Sequence, residues 1–285
     1  MIRIDPSKCK GDDLCTLVCP AGVIEKGPVL HPEAATFCIS CGHCHAVCPQ
    51  DAITVEGFEG PEILAAPQAP PVSAASLLAF LRARRSCRRY QERPVSREHI
   101  EAIIEAASLA PSACNGRPTK AYVVADPERL EALREGTLSC YRRVLRSLRR
   151  PGIGLLWRLL GFPARRRAML VRALEYLLAA SPGGDRLFYG APALLIFTLP
   201  RNDPVGRQDA PLAAQNAALQ AEALGVGACF NGYFEAAAHR DRSIPAIAGI
   251  PPAERIAIAL TLGYPKGEPR FLRPAPRKTM ETVWI

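Results

Sequence analysis

The stretch Cys38-Ile39-Ser40-Cys41-Gly42-His43-Cys44-His45-Ala46-Val47-Cys48-Pro49 decides the first part of the fold. Its spacing, C-x2-C-x2-C-x3-C-P, is that of a cysteine run that holds [4Fe–4S] clusters. Four thiolates crowded into eleven residues are an oxidation liability unless a metal takes them. A zinc site or a disulfide knot is the competing reading. Zinc sites, however, set two C-x2-C knuckles a dozen residues or more apart, and here the third cysteine follows after two residues. His43 and His45 flank the cysteines and read as surface or supporting groups rather than ligands.

Upstream lies a degenerate copy of the run. Cys9, Cys15 and Cys19 precede Cys38, Cys44 and Cys48 by a constant 29 residues, and Pro20-Ala21-Gly22-Val23-Ile24 aligns with Pro49-Gln50-Asp51-Ala52-Ile53. Asp12 stands where the second cysteine of the first half belongs. The repeat resembles a two-cluster bacterial-type ferredoxin. That resemblance implies two centres, because in that family each half lends its fourth cysteine to the other cluster. Cys38, Cys41, Cys44 and Cys19 would hold a [4Fe–4S] cluster. Cys9, Cys15 and Cys48 would hold a second, with Asp12 at the fourth corner. A carboxylate binds that iron less firmly than a thiolate. Either Asp12 ligates a [4Fe–4S] cluster or the iron is lost and a [3Fe–4S] cluster remains; the third option is that the first-half cysteines are relics.

The chain has 285 residues, 48% of them hydrophobic, which allows a substantial core in one or two domains. It contains no run of about 18 apolar residues that would read as a transmembrane helix, and Asp5 and Cys9 leave no room for a signal peptide. Seven of the eleven cysteines lie in the first 48 residues, which fits metal ligation in a reducing, cytoplasmic setting better than a disulfide scaffold. The net charge of +9 is local: between Leu138 and Ala180 lie ten arginines against one acid, Glu175. From Gly57 to Ser76 the composition turns to Pro, Ala and Gly, a semi-extended linker. The expected organisation is therefore a cluster domain over 1–57, a linker over 58–75 and a second domain over 76–285.

In that second domain, Ala74 to Arg85 reads as a helix with Leu77, Leu78 and Leu81 on one face. A basic turn follows, Arg84-Arg85-Ser86-Cys87-Arg88-Arg89-Tyr90. Ser96 is an N-cap for a helix carrying Ile100, Ile103, Ile104 and Ala107. That helix stops at Pro111-Ser112-Ala113-Cys114-Asn115-Gly116-Arg117-Pro118. Ala121 to Ala125 reads as a strand and Pro127 to Glu135 as a helix opened at proline. Later come an apolar strand over Leu194 to Leu199, a helix from about Ala210 to Leu224, the stretch Gly225-Val226-Gly227-Ala228-Cys229-Phe230-Asn231-Gly232-Tyr233, and a strand over Ile256 to Leu262 into Gly263-Tyr264-Pro265.

Taken in this order, these motifs resemble the nitroreductase family of flavin enzymes over nearly all of residues 74–285. The resemblance implies an α+β fold with an antiparallel-rich central sheet flanked by helices, and FMN at a homodimer interface. Arg84, Arg85, Ser86 and Arg88 would hold the FMN phosphate, for which guanidinium donors are well shaped, and Arg277 matches a C-terminal arginine that joins them. Pro111, Ser112, Ala113 and Asn115 match a flavin-contacting loop that reaches across the dimer. Gly232 and Tyr233 match the backbone that approaches the flavin N5 edge, and the Tyr233 phenol is the candidate proton donor. Cys87, Cys114, Cys140 and Cys229 read as packing residues.

Two departures stand out. Arg117 and Thr119 replace residues that the family often has beside the loop proline, and the segment from about 138 to 185 is unlike the family's short connection. It offers no match for the family's usual substrate-side residues, nor for the contacts that help hold a nicotinamide cofactor. Tyr141–Arg150 and Arg165–Leu178 read as basic helices around the apolar patch 154–162. The segment is a lid over the flavin, a docking face for an acidic donor such as reduced ferredoxin or flavodoxin, a peripheral membrane contact through 138–180 in which Trp157 and Phe162 take part, or a solvated hairpin. No recognition motif for nucleic acid accompanies the charge. Joined, the halves imply an FMN-dependent oxidoreductase that passes electrons from iron–sulfur clusters to FMN and on to an electron-poor small molecule, such as a nitroaromatic, quinone or activated alkene. An electron-transfer component or a membrane-associated redox sensor serving a partner protein is the alternative.

Overall fold

Alternation and small turns, rather than long helices, build the described residues up to Glu56. In the computed structural model, described here for residues 2–27, 29–56, 72–154, 159–161, 163–179, 184–267 and 279–284, the chain falls into two units. The first comprises Met1–Ser73 with Ser112–Arg117, the second Ala74–Pro111 with Pro118–Ile285. Arg277, Trp157, Phe162 and residues 58–71 of the expected linker lie outside the described residues.

The first unit runs β1 (Ile2–Ile4), α1 (Leu14–Val18), β2 (Ile24–Glu25), β3 (Val29–Leu30), α2 (Ala34–Phe37), α3 (His43–Val47) and β4 (Ile53–Val55). Strands β1 and β4 pair antiparallel, Ile2 opposite Val55 and Ile4 opposite Ile53. Alternation puts Ile2, Ile53 and Val55 into one small core with Val23, Ile24, Cys15 and Cys44. The 29-residue repeat is conformational as well as chemical. Helix α1 maps onto α3, and left-handed φ recurs in pairs at Gly11 (70°) and Ser40 (50°), Asp13 (56°) and Gly42 (76°), Gly22 (62°) and Asp51 (48°). In each pair one member is glycine and the other is not.

In the second unit α4 (Ala74–Ala83), α5 (Arg97–Ser108), β5 (Lys120–Val124), α6 (Pro127–Leu148), α7 (Ala164–Leu178), β6 (Ala193–Pro200), α8 (Asp209–Ala223), β7 (Gly227–Phe230), α9 (Gly232–Ala238), α10 (Ser243–Ile247) and β8 (Glu254–Gly263) follow in order. The strands form one antiparallel sheet, β5-β6-β8-β7. Every residue of β6 but Pro200 is buried, because both faces are covered. Leu195, Phe197 and Leu199 meet the alanine face of α8 (Ala210, Ala214, Ala217, Ala221) and Ile103 of α5. Leu194 and Ile196 meet Leu133, Leu145, Leu174 and Phe234 from α6, α7 and α9. The result is the expected α+β architecture, a sheet between two helical layers.

The Ser96 cap forms as the sequence predicts, its hydroxyl accepting from His99 N–H, and α6 opens at Pro127 as expected, with Asp126 as its cap. Two elements differ. The helices expected over 127–135 and 141–150 are one helix of 22 residues, since Gly136 continues it against Ile247 and Ile244 of α10. Helix α4 forms as expected but buries none of its residues, and Leu77 and Leu78 stay 49% and 47% exposed.

Candidate functional site

Each half of the repeat sends a short loop, one helical turn and a Cys-Pro step around a void. Cys19, Cys38, Cys41 and Cys44 line one small void together with Ile39, Ser40 and Gly42. Cys9, Asp12, Cys15 and Cys48 line a second. The eight predicted ligands thus divide between two cavities, with the last cysteine of each half in the other half's set. The side chains wall these voids rather than converge on a point: among the described residues no three His, Cys, Asp or Glu side chains close around a single ion. The local chemistry fits a thiolate-held cluster. Backbone N–H groups of Gly11, Ser40 and Ala52 donate to the sulfurs of Cys9, Cys38 and Cys48, each at 3.4 Å. Burial pushes the Cys15 and Cys44 thiols up, so they stay protonated unless a metal centre displaces the proton. One Asp12 oxygen accepts from Leu14 N–H at 3.2 Å, which leaves the other available to iron. His43 is exposed, and the Nδ1 of His45 lies 2.7 Å from the Ile53 carbonyl, a supporting bond between α3 and β4.

In the second unit a cavity of about 500 Å³ opens beside the end of β7. It is lined by Arg88, Tyr189, Cys229, Phe230, Gly232 and Tyr233, and by Tyr141, Val144, Leu170 and Leu174 from the long α6 and from α7. The basic turn is brought here by pairing: Ser86 bridges Ala228 in parallel fashion, and Cys87 N–H donates to the Ala228 carbonyl at 3.0 Å. Gly227 admits that approach, since a Cβ there would stand 2.6 Å from that of Cys87. Burial pushes the Cys229 thiol up, against Arg88, Ser86 and Arg84, which pull it down. Of these three predicted phosphate donors Arg88 lines the cavity itself, while Ser86 and Arg84 act on the Cys229 thiol that forms part of its wall. Arg85, on the same turn, is half-buried.

Gly232 opens α9, and nothing lies within 4 Å of where its Cβ would be, so its backbone faces open space. The side chain of Asn231 fixes this opening: its Oδ1 accepts from Phe234 N–H at 3.0 Å and its Nδ2 donates to the Leu187 carbonyl at 2.7 Å. The amides of Gly232 and Tyr233 belong to a first helical turn, which has no acceptors within the helix. Tyr141, buried, donates its hydroxyl to the Tyr233 carbonyl at 2.7 Å, with the two rings edge to face at 5.7 Å. Burial pushes the Tyr141 hydroxyl up to about 12. A basic turn for an anion, an open glycine backbone and aromatic walls fit a phosphorylated, flat heteroaromatic cofactor such as FMN.

Pro111, Ser112, Ala113 and Asn115 are not among the residues lining this cavity. Ser112–Arg117 groups with the first unit, where Asn115 Nδ2 donates to the carbonyls of Ile39 (3.1 Å) and Ser40 (2.8 Å). Sequence reasoning missed Tyr141, Tyr189 and Arg240, and it gave Cys229 to packing. Tyr141 carries no signal within its basic segment, whereas Cys229 and Phe230 sit inside the quoted Gly232 motif. Nor is the basic segment bare: Arg142 pairs with Glu135, Arg143 with Asp241 and Arg149 with Glu175.

Residues 81–264 match the profile of the nitroreductase family, and residues 1–49 that of the 4Fe-4S dicluster domain. A provisionally named NADH dehydrogenase/NAD(P)H nitroreductase of Archaeoglobus fulgidus is 28% identical over 194 residues, which is 68% of this chain and 88% of that protein. Among solved structures, a nitroreductase with bound FMN from Bacteroides fragilis is similar with a TM-score of 0.56 at 19% identity, covering 73% of this chain and 98% of that one. Another with bound FMN, from Desulfitobacterium hafniense, has a TM-score of 0.52 at 22% identity, covering 73% and 97%. These likenesses are of fold.

Proposed function

The chain belongs to the nitroreductase family and carries a 4Fe-4S dicluster domain at its N-terminal end; from this premise we propose an FMN-dependent oxidoreductase that takes in single electrons at the dicluster domain and reduces an electron-poor small molecule in the second unit. When bound, the clusters supply one-electron and FMN one- or two-electron chemistry. Everything else falls to the residues of this chain.

The observation that carries the reading is the cavity shared by the basic turn and the start of α9. Arg84, Ser86 and Arg88 offer the donors a phosphate needs. Gly232 and Tyr233 offer backbone N–H groups at an unobstructed approach. Tyr141 holds the Tyr233 carbonyl and so braces the first turn of α9. Val144, Leu170 and Leu174 line the cavity from the segment unlike the family's short connection, which favours the lid among its four readings, a lid that excludes water from the reacting face. Pro111, Ser112 and Ala113 stand as flavin contacts across a homodimer, and the half-exposed Leu77 and Leu78 of α4 support that dimer. Asn115 leaves the flavin set in this proposal, because both protons of its amide are spent on Ile39 and Ser40. In the first unit the ligand sets are Cys19, Cys38, Cys41 and Cys44 for one cluster, and Cys9, Cys15, Cys48 and Asp12 for the other.

The test is flavin content together with an anaerobic donor screen. Arg84→Ala with Arg88→Ala should purify with FMN occupancy reduced at least tenfold; full occupancy removes the phosphate assignment. The wild-type protein should turn over a nitroarene or quinone faster with reduced ferredoxin than with NADH or NADPH, and Cys41→Ala should abolish the ferredoxin-driven rate. NADPH turnover that survives intact in Cys41→Ala would mean that the clusters are not the entry port.

A further inference from the structure

The loop Ser112–Arg117 interrupts the second unit, yet by its contacts it belongs with the cluster-binding unit. It is held in an unusual shape. Cys114, Asn115 and Arg117 have φ of 50°, 53° and 46°, in the left-handed region that side chains other than glycine rarely adopt. The loop is braced internally: Arg117 N–H donates to the Ser112 hydroxyl at 3.0 Å, and Arg117 Nε to Asn115 Oδ1 at 3.4 Å. What this contortion presents is the Asn115 amide, whose Nδ2 meets the carbonyls of Ile39 and Ser40.

Those two carbonyls lie between Cys38 and Cys41. The Ile39 carbonyl and the Ser40 N–H are the two ends of one rigid peptide plane, and that N–H is the one donating to Cys38 Sγ at 3.4 Å. Holding the carbonyl therefore aims the N–H at the sulfur. Ser40 itself has φ of 50°, so the peptide would relax if the carbonyl were released. In the other half of the repeat the matching N–H···S bond is made by Gly11, for which φ of 70° is unstrained. The half with serine is the half with the clamp.

We infer that Asn115 is a positioning residue for the cluster of Cys19, Cys38, Cys41 and Cys44: by gripping the Ile39 and Ser40 carbonyls it orients the Ser40 N–H toward Cys38 Sγ and raises that cluster's reduction potential. The inference rests on the ligand set proposed above. Hydrogen bonds to cluster sulfurs stabilise the more negative, reduced state and so set the potential.

The test is an EPR-monitored redox titration of the full-length holoprotein. Cys41→Ala first identifies the signal of this cluster by removing it; if it removes none, the ligand set fails and the inference with it. If it does, Asn115→Ala and Asn115→Asp are compared with wild type at equal iron per chain. Asp keeps the shape of Asn but has no amide donors. The expected result is a shift of this cluster's midpoint to more negative potential in both variants, with the midpoint of the other cluster unmoved as an internal reference. Should Asn115→Ala lose iron, Asn115→Asp alone decides. A wild-type midpoint and line shape in Asn115→Asp overturns the inference, as does an equal shift of both clusters, which would report a general loosening of the unit.

Discussion

Asp12 and Glu254 show how much depends on a single carboxylate's neighbours. Asp12 lines the Cys9, Cys15 and Cys48 void with one oxygen already engaged by Leu14 N–H, which makes it a weak and hard ligand at most. Asp12→Cys should therefore convert a [3Fe–4S] EPR signal, or a labile [4Fe–4S] one, into a stable [4Fe–4S] signal, and an unchanged spectrum and iron count would reject Asp12 as the fourth corner. Glu254 is buried at the start of β8 and takes hydrogen bonds from Lys120, Tyr122 and Thr198. Burial works against its charge, but those three donors outweigh it and hold the carboxyl below its ordinary value. Its stabilisation is complete above the unfolded carboxylate's pKa, about 4.3, and is lost as pH falls through the lower folded value. Glu254→Gln should cost about 1–3 kcal/mol at pH 7. The gap to wild type should narrow below pH 4 in urea melts, and an equal gap at both pH values would contradict this account.

At the scale of elements, strand and helix patterns were readable where burial is one-sided or complete. The apolar run of β6 and the Ile103 and Ala107 stripe of α5 announce themselves, whereas the strands Ile2–Ile4 and Ile53–Val55, three residues each, are too short for alternation to mark them. The fusion of two expected helices into α6 was not legible, because Gly136 reads locally as a break, and only its seat against α10 makes it a close contact instead. The cavity was legible in part for a related reason. Arg88 and Gly232 lie in motifs, whereas Tyr141 and Leu174 reach the site only because α6 and α7 pack across the sheet. Leu174, with no exposed surface, supports both the core and the cavity wall. Leu174→Ala should lower stability by about 2–4 kcal/mol and raise KM for the acceptor more than it lowers kcat. A loss confined to kcat would argue that α7 does not cover the substrate.

For the molecule as a whole, one exposed apolar surface is α4, a ten-residue helix with Leu77 and Leu78 about half exposed. In the proposed homodimer a second copy of the chain covers it. Leu77→Asp with Leu78→Asp should shift the holoprotein from dimer to monomer in sedimentation velocity and release FMN. A dimer that persists with its flavin would place the interface elsewhere. No helix among the described residues is long and apolar enough to cross a membrane, and three arginines of the basic segment are engaged by acids, one on α6 itself, one in the turn before α10 and one on α7. The sequence showed that charge as a one-signed block, because its partners Glu135 and Asp241 lie outside the segment that was counted.

The paired left-handed residues of the first unit mean that this chain contains its own two-row alignment. At three matched positions the backbone bend is shared while the residue is not, so each half records which side chain the other could carry. Ser40→Gly would copy Gly11 and remove roughly 1 kcal/mol of backbone strain, whereas Asp13→Gly would copy Gly42 but forfeit the bond that the Asp13 carboxylate accepts from Gly27 N–H. Duplication has left the unit a private consensus, from which its tolerance to substitution can be read without a second protein.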